Sequence, residues 1–459
     1  MCPTDFRPAP PCGSRPIRAA WPRRWSVISA PPAASRGLVP PDAPSSPAAT
    51  AGRPSRAEWM RSTPMLLGRL TKMPISSRFD GRPALAIASL RPADAHAGTP
   101  FFLAAAARRQ GLPARSLQLK TSGAAWRRQR ILWNAGQALA HGRYGGFQYT
   151  ATALAAAWRA DPPRAGETVL SLFQLLPERL HRSHDGPICF YIDQTLTQMF
   201  GTYGPEAALP EAIKRRAVAQ EARHYASAHH IYAQSAYAAR SVVADYGIPA
   251  TKVSVLLPGA NLDPEAVADW EAAGPRRRPP GPLRLVFVGK DWRRKGLDRL
   301  IRAVRIARGQ GASIDLRVIG LAPETVPPAL SAVPGIEWIG PVDKSRESRR
   351  FLDLVAWADI GCLLSRAEAG GIALREFRRL GLICLVPRVG GAPEYVTPAA
   401  RHLIAPSDTP GDIAACLVRL AQEPALLHRQ AQAAWDSRGA ADWSYTAKAL
   451  AHSPAALAA

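Results

Sequence analysis

Glu368 and Glu376 stand eight positions apart in the segment SRAEAGGIALREFRRLG, with Gly370 and Gly371 between them. The preceding run DIGCLLS reads as a buried strand that delivers Ser365 to a sheet edge, and a helix is expected to begin near Ile372. A glycine turn at that junction leaves backbone N–H groups and the positive end of the helix dipole uncovered, which favours a phosphate or a sugar oxygen. Glu376 falls about one turn into the helix. The two carboxylates then reach separate points along one elongated ligand and can accept hydrogen bonds from adjacent hydroxyls, as on a ribose or hexose. Repulsion argues against both lying directly on the phosphates. Upstream, VGKDWRRKG puts Lys290 and Lys295 in a loop between a strand and a helix starting near Gly296, a second cradle for an anion. The plainer alternative is that the glutamates pair with the many nearby arginines and the lysines serve solubility.

The elements that must position these residues follow a repeating pattern. PALAIASL (83–90) reads as a buried strand, followed by Gly98, a capping Thr99, Pro100 in the first helical turn and an Ala-rich helix stopped by Gly111. Further strands are expected at 166–176, 186–192, 229–235 and 252–258. A second series starts at LRLVFVG (283–289) and continues through SIDLRVIG, GIEWIG, DIGCLLS and LICLVP, with helices between. Apolar strands alternating with helices imply parallel sheets covered on both faces. The expected organisation is α/β, with a first doubly wound domain over 81–265, a linker over 266–282, a second over 283–440, and a tail or helix over 441–459. Two such domains facing each other put the carboxyl ends of their strands around one cleft. The run AAWRRQRILWNAG (124–136) reads as an amphipathic helix with arginine on its wet side.

Composition narrows the classes. A chain of 459 residues with 47% hydrophobic and 20% charged residues is globular and large enough for two or three domains. No uninterrupted apolar stretch reaches the roughly 18 residues of a bilayer span. The net charge of +24 rests on 51 Arg and only eight Lys, a bias that is weak support for nucleic-acid binding. The six cysteines lack paired spacing; a disulfide framework and a zinc site are not expected, and the cytoplasm is the default location. Residues 1–80 hold 15 of the 44 prolines and no sustained period, so this Pro/Arg-rich segment is expected to be a disordered tail or translated upstream sequence, with an organellar transit peptide as the alternative.

These motifs resemble the family 4 glycosyltransferases, group 1 enzymes of the GT-B fold with an E-x7-E signature, over roughly residues 83–450. GKDWRRKG is similar to the family's G-R-x-x-x-x-K-G, SRAEAGGIALRE to its S-x-x-E-G-F-G-x-x-x-x-E, and VGGAPEYV to the G-G-x-x-E that follows; PGANLD and HAGTP fall at the family's other turns. The resemblance implies a fold of two Rossmann-like domains, an N-terminal acceptor domain and a C-terminal nucleotide-sugar domain. It implies that Lys290 and Lys295 hold the donor diphosphate, Glu368 the transferring sugar and Glu376 the ribose. Gly370, Gly371 and Ile372 would offer backbone amides, and Gly98 would admit the opposite loop. The sequence departs from the family at Ala369-Gly370, where Gly-Phe is usual, and at Arg375, Arg378 and Arg379, where small residues are common. Asp193, after a middle strand of the first domain, is the loosely aligned candidate for a group facing the sugar.

The implied activity is sugar transfer, with retention of anomeric configuration, from a UDP- or GDP-sugar to a glycan, lipid-linked or other acceptor. There is no D-x-D signature, so neither metal nor cofactor is expected, and protein cations would stabilise the leaving diphosphate. The expected partners are the nucleotide sugar and its acceptor rather than nucleic acid, and the basic balance is compatible with peripheral association at the inner membrane face. The alternatives are a non-catalytic GT-B-like binding protein, a basic nucleic-acid-binding protein, and a sugar-nucleotide epimerase of similar fold.

Overall fold

The computed structural model describes residues 85–89, 98–118, 123–158, 162–202, 204–274 and 281–452. The proline-rich segment 1–80 lies outside the described residues. Among the described residues, two six-stranded, all-parallel sheets organise the chain. The first has the order β2-β1-β3-β4-β5-β6 and the second β12-β11-β10-β7-β8-β9.

The first lobe contains β1 (Leu85–Ser89), β2 (Ala114–Gln118), β3 (Thr168–Ser171), β4 (Ile188–Ile192), β5 (His230–Ala233) and β6 (Val253–Val255). Its helices include α1 (Thr99–Arg109), α2 (Ala124–His141), α3 (Glu211–Ser227) and α4 (Ala236–Ala244). β1, β3 and β4 are buried along their whole length, as strands covered on both faces must be. Helix α1 starts one residue earlier than its capping pattern suggests: Gly98 is the N-cap, and Thr99 and Pro100 are the first helical residues.

The second lobe contains β7 (Leu283–Val288), β8 (Ile314–Ile319), β9 (Ile336–Gly340), β10 (Ile360–Cys362), β11 (Ile383–Pro387) and β12 (Arg401–Ile404). The segment expected to be linker begins instead with a helix, α5 (Pro264–Ala272), capped by Asp263. Its Val267 and Trp270 are buried in the core of the second lobe with Phe351, Leu374 and Phe377. Helices α6 (Leu297–Gly309) and α7 (Ile372–Arg379) follow β7 and β10. The terminal helix α8 (Trp443–Ala451) returns to the first lobe, where Trp443, Ala447 and Leu450 pack with Phe102 and Leu103 of α1.

The lobes are therefore joined by two neighbouring crossovers. Ala260 N–H donates to Ala441 O at 2.7 Å, and Trp443 Nε1 donates to Asn261 Oδ1 at 3.2 Å. A Cβ on Gly259 would lie 2.3 Å from Trp443 Cγ, so glycine lets the strands of the hinge touch. A third link spans the facing loops: Glu394 of the second lobe accepts hydrogen bonds from Ala236 N and Tyr237 N at the N-terminus of α4. A carboxylate there complements the positive end of that helix.

Candidate functional site

Strand order explains why residues more than 70 positions apart meet. β7 lies between β8 and β10, so the chain leaves the sheet in opposite directions on either side of it, and the loops after β7 and β10 lie side by side at their carboxyl ends. The β7 loop carries Lys290 and Lys295, and the β10 loop carries Glu368.

Lys295 Nζ donates to Glu368 Oε2 at 3.1 Å. The same oxygen accepts from Arg294 Nη1 at 3.3 Å and Ser365 Oγ at 3.1 Å. The site is built on glycine. The Lys295 stem lies across Gly289, where a Cβ would come within 2.5 Å of Lys295 Cδ. Gly371, at φ +85°, is the N-cap of α7 and gives the turn its left-handed backbone; Ile372 opens the helix. The Tyr395 ring lies against Gly370, where a Cβ would stand 2.1 Å from it. The VGG turn supports the loop from below: Gly391 N–H donates to Ala369 O at 2.7 Å, and a Cβ on Gly390 would be 1.9 Å from Glu368 O. VGGAPEYV thus both supports Glu368 and, through Glu394, joins the lobes.

Glu376 occupies a second point along α7. It is buried at 1% exposure and paired with Lys344, whose Nζ lies 2.5 Å from Oε1 and 4.0 Å from the centre of the Phe351 ring. Burial pushes its carboxyl pKa up, while Lys344 and, from farther away, Lys295 favour the ionised form. One carboxylate faces the β7 loop and the other points inward beneath the loop after β9.

Of the other candidates, Lys290 is exposed and contacts neither glutamate; its charge bears on Asp343, beside Lys344. Gly98 is a buried N-cap in the first lobe at φ −111°, a conformation open to any residue. Asp193 is exposed at the carboxyl end of β4. It bears electrostatically on the buried Tyr395 phenol, as Glu368 does; burial, then Tyr191 and Asp193, push that phenol well above its usual pKa. Asp193 therefore belongs to the neighbourhood of the Glu368 loop from the opposite lobe. Arg294 and Lys344 were not anticipated. Arg294 is adjacent to Lys295 in the RRK run, and Lys344 lies in a polar loop with no local signal.

The Asp193 loop has its own buried anchor. Glu221 of α3 accepts hydrogen bonds from Leu196 N (3.0 Å), Tyr225 Oη (2.6 Å) and Tyr246 Oη. Burial is the main reason its pKa is pushed up to about 8. A carboxyl whose folded pKa lies above its unfolded value contributes stability that is complete below the unfolded value and lost as pH rises through the folded one. The wild type is accordingly expected to lose thermal stability between about pH 5 and 8 relative to Glu221→Gln, whose melting temperature should vary less over that range. Parallel profiles for the two proteins would contradict this account of Glu221.

Residues 282–423 match the family model described as glycosyl transferases group 1. A D-inositol 3-phosphate glycosyltransferase of Nocardiopsis dassonvillei is 26% identical over 223 residues, 46% of this chain and 52% of that protein. D-inositol 3-phosphate glycosyltransferase 2 of Catenulispora acidiphila is 29% identical over 240 residues, 49% of this chain and 55% of that protein. The chain spans about half the length of these relatives. Among solved structures, sucrose-phosphate synthase from Thermosynechococcus elongatus superimposes with a TM-score of 0.57 at 14% identity, over 80% of this chain and 97% of that one, a likeness of fold.

Proposed function

We propose that the protein transfers a sugar from a nucleotide-sugar donor to an acceptor: residues 282–423 match the family model described as glycosyl transferases group 1, and the two parallel α/β lobes have the GT-B fold. The observation that carries the reading is the pairing of Lys295 and Arg294 with Glu368 beside the N-terminus of α7. The bond from the anomeric carbon to the diphosphate breaks, and negative charge grows on the leaving oxygen. Lys295, Arg294 and the first amides of α7 stabilise that charge, while Lys290, more exposed, adds attraction at the mouth. Glu368 is released from its cations to accept hydrogen bonds from the transferring sugar, and Glu376 takes the ribose. The acceptor hydroxyl forms the new bond to the anomeric carbon with retention and gives its proton to Asp193. The donor is a UDP- or GDP-sugar, and protein cations do the work without a metal. The acceptor is a glycan or a lipid-linked intermediate, met in the cytoplasm.

Lys344 fits this scheme as the counter-charge of a buried ribose-binding carboxylate. Without it, Glu376 would be desolvated and tend to hold a proton. Lys344→Met is expected to weaken nucleoside diphosphate binding about tenfold, or about 1.4 kcal/mol. The loss should be larger at pH 6 than at pH 8, as titration calorimetry at the two values would show.

The decisive experiment is a panel of nucleotide sugars scored for thermal stabilisation and for nucleoside diphosphate release. One donor is expected to stabilise the protein and to release its diphosphate faster when acceptor is added. Binding without release would favour a non-catalytic binding protein, and isomerised donor without transfer an epimerase. Tight, salt-sensitive retention on DNA or RNA that survives Glu376→Ala would favour nucleic-acid binding.

A further inference from the structure

Helix α2 has no buried residue along its 18 positions. One side rests on the first lobe: Trp126 meets Phe147 edge-on at 4.9 Å between ring centres, and Trp133 Nε1 donates to Gly145 O at 2.8 Å. At 100° per residue, Ile131, Leu132 and Leu139 fall on the opposite arc with Ala135 and Ala138. Ile131 is 59% exposed, Leu132 71% and Leu139 90%, and Tyr144, just beyond the helix, is 64% exposed. They are four of the five large hydrophobic side chains that stand out from the surface among the described residues. The sequence expectation of arginine on the wet side thus holds in part: Arg127, Arg128 and Arg130 are exposed, but leucine and isoleucine share the water with them.

The chain segment that contains this helix carries charge of one sign. From Ala95 to Ala160 the chain contains eight Arg and one Lys and not one Asp or Glu. Arg127, Arg128 and Arg130 make no ion pair among the described residues. Apolar side chains flanked by unpaired cations, on a helix lying flat against its lobe, match an interface of acyl chains below anionic headgroups. A protein partner would need acidic groups complementary to the arginines, whereas an anionic bilayer supplies both layers at once.

We propose that the outer face of α2 is a docking surface for an anionic lipid membrane. Ile131, Leu132 and Leu139 enter the headgroup and acyl boundary, and Arg127, Arg128 and Arg130 lie against the phosphates. Because α2 follows β2, it rises from the carboxyl edge of the first sheet, the edge that faces the second lobe. A membrane bound there lies beside the mouth of the site, which suits the lipid-linked acceptor among those proposed above. The surface itself does not depend on sugar transfer.

The test is co-sedimentation of the full chain with phosphatidylglycerol-rich vesicles and with phosphatidylcholine vesicles, without nucleotide. Binding is expected to be at least about tenfold stronger on the anionic vesicles and to fall as salt shortens the Debye length. Leu132→Asp/Leu139→Asp should lower vesicle binding about tenfold or more, and so should Arg127→Glu/Arg128→Glu/Arg130→Glu. An unchanged melting temperature in both variants shows that the fold survives. Equal binding to both vesicles, or wild-type binding by the leucine variant, overturns the proposal. So does a wild-type dimer that the leucine variant turns into a monomer without any vesicle binding, since a second copy would then cover the face. Vesicle binding by a protein that takes up no nucleotide sugar would leave the surface standing and remove the transfer reading.

Discussion

Lys295→Ala is expected to lower kcat/KM for nucleoside diphosphate release by about 10²–10³-fold, or about 3–4 kcal/mol in transition-state stabilisation. A cation of the β7 loop is lost where the leaving diphosphate gains charge. Before the donor binds, Glu368 lacks the ammonium group 3.1 Å from its carboxylate and keeps Arg294 and Ser365. Arg294→Ala should cost less, because Arg294 is the more exposed cation and shares its charge with Asp291, whereas Lys295 remains beside Glu368. Lys295→Arg separates charge from shape. The stem of Lys295 fits the space left by Gly289, so a bulkier planar guanidinium should restore diphosphate affinity better than turnover. Steady-state kinetics with one active donor would measure all three. A Lys295→Ala enzyme with wild-type kcat/KM would remove the β7 loop from the donor site.

Much of this arrangement was legible because the central strands are continuous apolar runs and the loops that matter follow them directly. β1, β4, β7 and β11 could be read from composition alone, and the β7 and β10 loops were recognisable from glycine and charge. β2 and β12 went unread for one reason: both are edge strands, and their polar residues, Arg115 and Arg401 among them, interrupt the apolar pattern. Arg115 instead finds Glu167 at 2.7 Å on the neighbouring chain segment. Helix α5 was hidden by the RRRPP run that follows it, although Trp270 signals a buried side. Lys344 could not have been found locally, because a charged loop normally implies solvent and only the β7-β8-β9 order carries it to Glu376. In α2 the wheel offers two apolar sides, one with Trp126 and Trp133 and one with Leu132 and Leu139; Phe147, in a later segment, decides which faces inward.

One departure from the family pattern, three arginines on the helix that bears Glu376, holds the hinge. Arg379 forms a bidentate pair with Glu271 of α5 at 2.6 and 2.9 Å, and Arg378 donates to Ser437 O at 3.3 Å. Arg375 is fully buried and has no carboxylate partner among the described residues. Nε donates to Pro258 O and Nη2 to Ala440 O, both at 2.6 Å, and Nη1 to Tyr395 O at 3.3 Å. Burial pushes its pKa down to about 9, which leaves it charged at neutral pH. Pro258 and Ala440 belong to the two crossovers, so one guanidinium fastens both to the helix of the donor site. Arg375→Met is expected to destabilise the protein by about 3 kcal/mol: hydrogen bonds from a charged group are worth about 1.5–3 kcal/mol each, and relief of the buried charge offsets part of their loss. Arg375→Lys should recover little, because a single ammonium cannot reach three carbonyls set out for a planar fork. Denaturant midpoints would measure the loss, and limited proteolysis should show earlier cleavage near 258–262 and 440–443. If Arg375→Met unfolds at the wild-type midpoint and resists protease equally well, the crossovers are held by their own contacts, Trp443 with Asn261 and Ala260 with Ala441, and the arginine has no part in setting how the lobes meet.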